Sequence, residues 1–211
     1  MSERSRHVDR FNHDDQAARY DADAQNERDP IRAGYAEALA WVAARAAGAR
    51  RIADLGAGTG NLTVQLPAGA EVVAVDVSAG LLDRAKPKLA GRAVRFVEDD
   101  LLAFARSEPG PWDAVVSSYA VHHLEEPEKH ALLEALVAKL SPGGAIAVAD
   151  LMFDGPAERA RIAAEHPHLV PVFDDEFFWD LPAAVAALER QGLQVETQRF
   201  SLLSWGLAAR R

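Results

Sequence analysis

The chain of 211 residues contains no cysteine. That excludes disulfides, thiolate metal sites and a cysteine nucleophile, and it fits a reducing compartment. No run of about eighteen uncharged apolar residues occurs, so no membrane-spanning helix and no membrane partner are expected. The opening stretch, MSERSRHVDRFNHDD, is polar and charged and lacks the apolar core of a secretory signal. The expected location is the cytoplasm. Neither an internal repeat nor a low-complexity linker interrupts the sequence. Positive charge is also scarce: 23 Lys and Arg stand against 32 Asp and Glu, a formal net charge of −9. Duplex DNA or bulk tRNA would meet long-range repulsion, since phosphate contacts come from Lys/Arg patches and no basic run is present. A nucleic-acid partner is therefore not expected.

What is present is an apolar fraction of 49%, enough for a sizeable core, distributed in alternating patterns. The length suits one domain: an N-terminal arm with helices over 1–47, a core over 48–150 and a C-terminal segment over 151–211. The arm is polar, with one short helix expected around residues 17–24. Tyr35, Leu39, Val42 and Ala46 recur at helical spacing over 31–47, and Gly48 stands where that helix ends. Short apolar runs at 51–55, 71–75, 93–97, 112–117 and 145–149 read as strands, the fourth announced by the Pro109-Gly110-Pro111 turn. Helical patterns separate them. One runs over 61–66; one is capped by Ser78 and carries Leu81, Leu82, Ala85 and Leu89; one spans 127–140 with Leu132, Leu133, Leu136, Val137 and Leu140 on its core face. Ser141-Pro142-Gly143-Gly144 reads as a turn. A last helix over 182–191 has proline at its start and Gly192 beyond its end. Leu193, Val195 and Thr197 then alternate with polar residues as in a strand with one wetter face, and 201–208 forms the final strand, antiparallel to it. Residues 150–181, rich in His, Pro, Asp and aromatics, read as a lid or substrate loop.

Nearly continuous apolar strands alternating with helices imply an α/β fold, a doubly wound parallel sheet with helices on both faces. Its first βα turn is Asp54-Leu55-Gly56-Ala57-Gly58-Thr59-Gly60-Asn61. Glycines there let the chain turn sharply and let backbone N–H groups approach a ligand at the carboxyl edge of the sheet. The pattern is G-x-G-x-G, not the G-x-G-x-x-G of dinucleotide enzymes, because Asn61 and Thr63 stand where a third small residue would be. An acid two residues before the first glycine suits a ligand that carries an ammonium and no pyrophosphate. S-adenosylmethionine meets both conditions. Asp76, at the end of the second strand, is placed to accept the ribose hydroxyls, which does not separate NAD from S-adenosylmethionine. Asp100, after the third, could accept from an adenine amino group, with Leu101 offering backbone to the ring; the plainer reading of Asp100 is a solvated loop acid.

The stretches Asp54-Leu55-Gly56-Ala57-Gly58-Thr59-Gly60, Asp76, Asp99-Asp100, Ser117-Ser118-Tyr119-Ala120-Val121-His122-His123-Leu124 and Leu140-Ser141-Pro142-Gly143-Gly144 follow in an order and spacing that resembles the class I S-adenosylmethionine-dependent methyltransferases. The nearest similarity is to the YrrT-like bacterial small-molecule methyltransferases, which share a stretch like Ser-Ser-Tyr-Ala-x-His-His-Leu and an N-terminal segment like Ala18-Arg19-Tyr20-Asp21. The resemblance implies a Rossmann-like seven-stranded sheet of order 3-2-1-4-5-7-6, strand 7 antiparallel. It implies Asp54, Gly56 and Gly58 around the methionine end of the cofactor, Asp76 with Val77 at the ribose, and Asp100 and Leu101 at adenine. Ser117 would lie near the transferred methyl, and Tyr20 would fold over the cofactor from the arm. Asp99-Asp100 replaces the family's usual Gly-Asp, keeping the acid. The Asn-Pro-Pro-Tyr motif of enzymes that methylate amino groups of adenine or glutamine is missing after the fourth strand. The expected partner is a small-molecule methyl acceptor.

Methyl transfer needs a positioned nucleophile and exclusion of water; a base is optional. His122 and His123 follow the fourth strand at the edge of the crevice and are the candidate bases. The bland alternative has one packing at the next helix and the other solvated. No third ligand at suitable spacing accompanies them, so no metal is expected there. His166 and His168, with Asp174, Asp175 and Glu176, suggest a divalent site, for which a solvated acidic loop is the simpler reading. Phe173, Phe177, Phe178 and Trp179 fit an acceptor pocket, a lid or a core face equally. Two other functions share these features: a non-catalytic sensor of S-adenosylmethionine or S-adenosylhomocysteine, and an NAD-dependent oxidoreductase.

Overall fold

The computed structural model describes residues 4–9, 12–14, 17, 19–24, 26 and 28–211, with the side chains of Asp174 and Asp175 left out; Ala18 of the arm motif lies outside the described residues. In chain order the elements are α1 (Tyr20–Ala24), α2 (Tyr35–Arg45), β1 (Arg51–Leu55), β2 (Glu71–Asp76), α3 (Ala79–Lys88), β3 (Val94–Glu98), α4 (Leu101–Ser107), β4 (Trp112–Ser118), α5 (Glu126–Ala138), β5 (Leu140–Phe153), α6 (Gly155–Glu165), α7 (Val170–Asp175), β6 (Trp179–Asp180), α8 (Leu181–Arg190), β7 (Gln194–Arg199) and β8 (Ser204–Arg210).

The sheet runs β3-β2-β1-β4-β5-β8-β7, with the two-residue β6 beside the far end of β5. Strands β1 to β5 are parallel, and β8 is antiparallel to both β5 and β7. Once β6 is set aside this is the expected order 3-2-1-4-5-7-6. The order reverses between β1 and β4, where Leu55 pairs with Ser117, so the carboxyl ends of β1, β2 and β4 open onto one crevice.

Strand periodicity divides the core in two. Ala53, Leu55 and Val115 point to one face, where α4, α5 and α8 cover them with Phe104, Leu132, Leu136 and Leu188. Ile52, Ala114 and Val116 point to the other, under Leu39 and Val42 of α2 and Ile162 of α6. Ser78 caps α3 as its sequence suggests, accepting from the Leu81 N–H at 3.1 Å.

Several boundaries differ from expectation. The helix expected over 61–66 is a single 3₁₀ turn, Thr63–Gln65. The third strand begins one residue later than read. Helix α5 ends at Ala138, because Trp112 N–H takes the Lys139 carbonyl at 2.8 Å and draws the chain into β5. Ser141-Pro142-Gly143-Gly144 is thus an irregularity within β5, where the register passes from Trp112–Leu140 to Ala114–Ala145. At its other end β5 continues through Asp150, since pairing with Trp205 and Ser204 of β8 and with β6 satisfies residues 150–153. Residues 150–181 are therefore strand and helix, not an irregular lid. Phe173 and Phe178 pack on Phe153 at ring distances of 5.0 and 4.9 Å, and Trp179 is buried, so these aromatics belong to the core. The final strand starts at Ser204, and β7 is wet on both faces as the sheet edge. No helix among the described residues is long and apolar enough to cross a membrane.

Trp41 of α2 lies directly on Gly206 of β8, where an added Cβ would come within 2.7 Å of the indole. Gly206→Val should therefore destabilise the fold by about 1–3 kcal/mol through overpacking. A urea midpoint equal to that of the wild type would contradict this packing.

Candidate functional site

The glycine loop is as tight as its composition suggests. Gly56, Gly58 and Gly60 all have positive φ, at 69°, 54° and 82°. An added Cβ on Gly56 would sit 2.1 Å from the Ala120 Cβ, so the turn after β1 and the chain after β4 touch at the switch point. Gly58 N–H donates to Asp76 Oδ2 at 2.8 Å, and Ser78 N–H donates to Asp76 Oδ1 at 2.9 Å. Despite these donors, burial pushes the Asp76 carboxyl up to about 6. Asp54 is fully buried; its Oδ2 accepts from the Thr63 hydroxyl at 2.6 Å. Its Oδ1 has no partner, and burial raises its pKa to about 7.

Three spaces that share lining residues, each partly open to solvent, lie over this edge. One of about 560 Å³ is lined by Gly56, Asp76, Val77, Asp100 and Leu101. A second, of about 260 Å³, is lined by Tyr35, Gly58, Asn61 and Ser118. The third and largest, about 850 Å³ including space open to solvent, is lined by Arg32, His122, His123 and Glu176. Tyr20 and Tyr119 line all three. Tyr119 holds φ at 50°, unusual for a residue with a side chain, and its hydroxyl is 2.6 Å from Ser204 Oγ.

Tyr20 thus stands where the arm was expected to meet the site. Asp21 holds it there, accepting from Thr59 Oγ, from Asn61 Nδ2 at 3.1 Å and from Lys88 Nζ at 2.6 Å. Other arm residues cross the same edge: Asp14 accepts from Ser78 Oγ at 2.5 Å and Gly80 N–H at 2.8 Å, and Arg6 pairs with Glu125 at 3.0 Å.

Two residues behave differently from expectation. Asp100 is no solvated loop acid. Its buried carboxylate caps α4, accepting from Leu102 and Ala103 N–H groups at 3.1 and 3.0 Å, and accepts from both the backbone and hydroxyl of Ser5. Ser117 turns into the sheet, donating to the Leu55 carbonyl at 2.7 Å, and Ser118 faces the space beside Gly58.

His122 and His123 do come to the crevice: His122 is buried, and His123 is partly buried with 18% of its side chain exposed. Asp150 Oδ1 lies 2.5 Å from His122 Nδ1, while its Oδ2 accepts the His122 backbone N–H at 3.0 Å and the Trp179 indole at 3.3 Å. Burial opposes charge on Asp150, yet His122 and these bonds hold its carboxyl below the usual range. Phe177 N–H bonds to the His122 carbonyl at 3.0 Å, which brings Glu176 against the pair. Glu176 Oε2 is 3.1 Å from His123 Nδ1 and 3.8 Å from His122 Nε2. A third group of metal-ligating chemistry, not evident from spacing, therefore stands beside the pair, with the relevant atoms of His122, His123 and Glu176 within 4.8 Å of one another. Among the described residues His166 and His168 do not join this group; their rings lie 6.0 Å from each other. Burial and the neighbouring His122 push the His123 pKa down to about 4, so its ring is neutral near pH 7.

The parallel sheet with β8 inserted antiparallel and a glycine turn at its switch point is a fold shared with solved methyltransferases. Residues 52–144 match a methyltransferase domain family. An uncharacterized methyltransferase from Geobacillus kaustophilus (strain HTA426) is 33% identical over 184 residues, 84% of this chain and 83% of that protein. The solved DhpI–SAH complex shares the fold at a TM-score of 0.69 and 20% identity, covering 94% of this chain and 92% of the other. Magnesium protoporphyrin IX methyltransferase (ChlM) from Synechocystis PCC 6803 with bound SAH aligns at 0.67 and 20%, with 97% of each chain covered. The chain belongs to the class I S-adenosylmethionine-dependent methyltransferases.

Two outcomes follow for cofactor binding. Asp76→Ala should weaken S-adenosylmethionine binding by about 1–3 kcal/mol, the cost of buried hydroxyls left without an acceptor; unchanged affinity by calorimetry in a folded variant would remove Asp76 from the ribose. The raised pKa values of Asp54 and Asp76 also set a pH dependence. An ammonium and ribose hydroxyls favour the ionised carboxylates, so binding releases protons. Affinity for S-adenosylhomocysteine should rise with pH between about 5 and 7 and level off above. Flat affinity across that range, or proton uptake in buffers of differing ionisation enthalpy, would contradict it.

Proposed function

We propose that the protein transfers the methyl group of S-adenosylmethionine to a nucleophilic atom of a small molecule held in the largest of the three spaces, with His123 taking the acceptor's proton. One observation carries this reading. His13, Tyr20, Tyr119 and His123 line both the space over Asp76 and the large space beyond it, so a cofactor and an acceptor would meet at those side chains. The family and the SAH seen in the structural neighbours support the choice of cofactor.

The residues present fit that cofactor. Asp54 lies buried beneath the turn and lines none of the three spaces, and a pyrophosphate brought to that turn would be repelled by its carboxylate, which disfavours the nicotinamide alternative. Gly56 and Gly58 leave backbone open at the cradle, and Asp76 has lone pairs left for hydroxyls. Asp100 holds the α4 end of the nucleoside wall, with Leu101 and Val77 as its apolar lining. When bound, S-adenosylmethionine supplies a methyl on a sulfonium, already activated for in-line displacement.

The protein's part is placement and proton handling. Tyr20 and Tyr119 close the junction between the spaces and exclude water from it. Neutral His123 is placed to accept a proton from a hydroxyl, thiol or ammonium, with Glu176 at 3.1 Å partly offsetting the burial that disfavours the resulting imidazolium. Asp150 fixes the His122 ring, which stacks beside His123 at a ring distance of 4.1 Å.

A screen of small thiols, amines, phenols and carboxylates with methyl-labelled cofactor tests the activity. For an acceptor that takes label, His123→Asn should lower kcat by about 10²–10⁴-fold with cofactor affinity retained. A variant with wild-type kcat would exclude His123 as the base, and cofactor binding without transfer to any acceptor would favour a sensor over an enzyme.

A further inference from the structure

We propose that His122, His123 and Glu176 form a site for a divalent transition-metal ion such as Zn²⁺, and that the ion, once bound, blocks His123 as a proton acceptor. The site stands on the geometry of the three side chains; its effect on turnover rests on the reading of His123 as the base.

In a strand, adjacent histidines would point to opposite faces. Here they sit on the 3₁₀ turn Val121–His123, which brings their rings within 4.1 Å at 60° to one another. Glu176 closes the group, its Oε2 lying 3.1 Å from His123 Nδ1 and 3.8 Å from His122 Nε2. Ligand atoms of a tetrahedral zinc stand about 3.3 Å apart. The two separations bracket that spacing, and 3.8 Å is too long for a hydrogen bond. Among the described residues no other group brings three such atoms together.

His122 is already set as a ligand. Asp150 accepts from the His122 backbone and the Trp179 indole on one oxygen, and from the Leu151 N–H at 2.9 Å on the oxygen that faces His122 Nδ1. A carboxylate so surrounded is an acceptor, so Nδ1 carries the ring proton and Nε2, turned toward Glu176, is the acceptor nitrogen. A carboxylate behind one ring nitrogen orients a histidine whose other nitrogen binds metal. Glu176 is held in turn, because Phe177 N–H bonds to the His122 carbonyl at 3.0 Å and buried Lys129 donates to the Phe177 carbonyl. Glu176 and Asp150 supply two negative charges to meet the two of the ion. His123 and Glu176 are only partly buried and line the large space, which gives an ion its way in. Two imidazoles and one carboxylate suit zinc and its transition-metal neighbours better than magnesium or calcium. The chain has no cysteine, so no thiolate site competes.

The block follows from a single proton. With Glu176 accepting, neutral His123 carries its proton on Nδ1 and takes the acceptor's proton on Nε2. An ion on Nδ1 sends the ring proton through solvent to Nε2. The ring then has no lone pair to offer.

The test uses the full, tag-free chain stripped with a chelator and dialysed. Zn²⁺ is titrated by calorimetry and Co²⁺ by visible absorption. One ion per chain should bind saturably, with the intense bands of low-coordinate cobalt. Glu176→Gln and His122→Gln should each weaken binding at least tenfold, since even an outer partner of a metal ligand is worth that much. His166→Asn and His168→Asn should bind as the wild type does. Proton–nitrogen NMR of the histidine rings should place the His123 proton on Nδ1 without zinc and on Nε2 with it. Should a ligand variant fail to fold, these wild-type spectra decide, because zinc must then act on the rings of His122 and His123 before any other. No saturable binding in the wild type, or equal binding in both ligand variants, overturns the site. A zinc-loaded chain that keeps the His123 proton on Nδ1 overturns the block. Full turnover by the zinc-saturated chain, on an acceptor found with labelled cofactor, overturns His123 as the base and leaves the ion site standing.

Discussion

The whole site depends on one close approach. The turn after β1 and the chain after β4 meet at the point where strand order reverses, and they meet so closely that Gly56 has no room for a side chain beside Ala120. That contact does two things. It seals the floor of the crevice with backbone, and it forces the chain after β4 upward through Tyr119, the one non-glycine among the described residues with positive φ. Tyr119 then becomes a shared wall of all three spaces, and the two histidines that follow it emerge over the cofactor side. The glycine cradle and the placement of the histidine pair are in this sense consequences of the same packing constraint.

Around that contact the protein keeps two carboxylates in surroundings that disfavour their charge. Asp76 is partly compensated by backbone donors from Gly58 and Ser78; Asp54 has one hydroxyl and an oxygen with no partner. Because burial raises both pKa values, the empty fold is most stable with these acids protonated and loses that stability as pH climbs from the ordinary carboxylate range toward 6 and 7. A ligand that brings an ammonium and paired hydroxyls removes the penalty in the bound state. The strain is local, and the strands that carry it are packed on both faces, so the fold tolerates it.

How much of this was legible in the sequence follows from how local each signal is. The strands of the parallel sheet, the glycine cradle, Asp54 and Asp76 were readable because each depends on residues adjacent in the chain: apolar runs, a turn that demands glycine, an acid at a strand end. Boundaries failed where pairing across the sheet overrode local preference. Leu140 looks like the last core position of α5 and is instead captured by Trp112 of β4; Asp150 looks like the start of a loop and is instead held inside β5 by β8 and β6. Partners went unread where a side chain reaches a protein group far away in the chain. Ser117 bonds back to β1, and Asp100 is taken by its own helix and by Ser5, which lies 95 residues earlier. The partners of His122 and His123 had no sequence signal at all, since Asp150 and Glu176 reach them only through the fold.

The two halves of the site are therefore encoded differently. The cofactor half is written within the first two βα units, where spacing leaves little freedom. The large space beside it is lined from the turn before α2, the segment after β4, the interior of β5 and the stretch between α7 and β6, brought together by tertiary contacts. Arg32 needs α2 to be docked on the sheet; Glu176 needs Phe177 to bond to the His122 backbone; His122 needs Asp150 buried beneath it. None of them makes the contact between Gly56 and Ala120. A fold of this construction holds its nucleoside by a rigid local motif and chooses its acceptor by side chains that the motif does not constrain, so acceptor chemistry has to be read from charge and cavity rather than from the sequence pattern that identifies the cofactor.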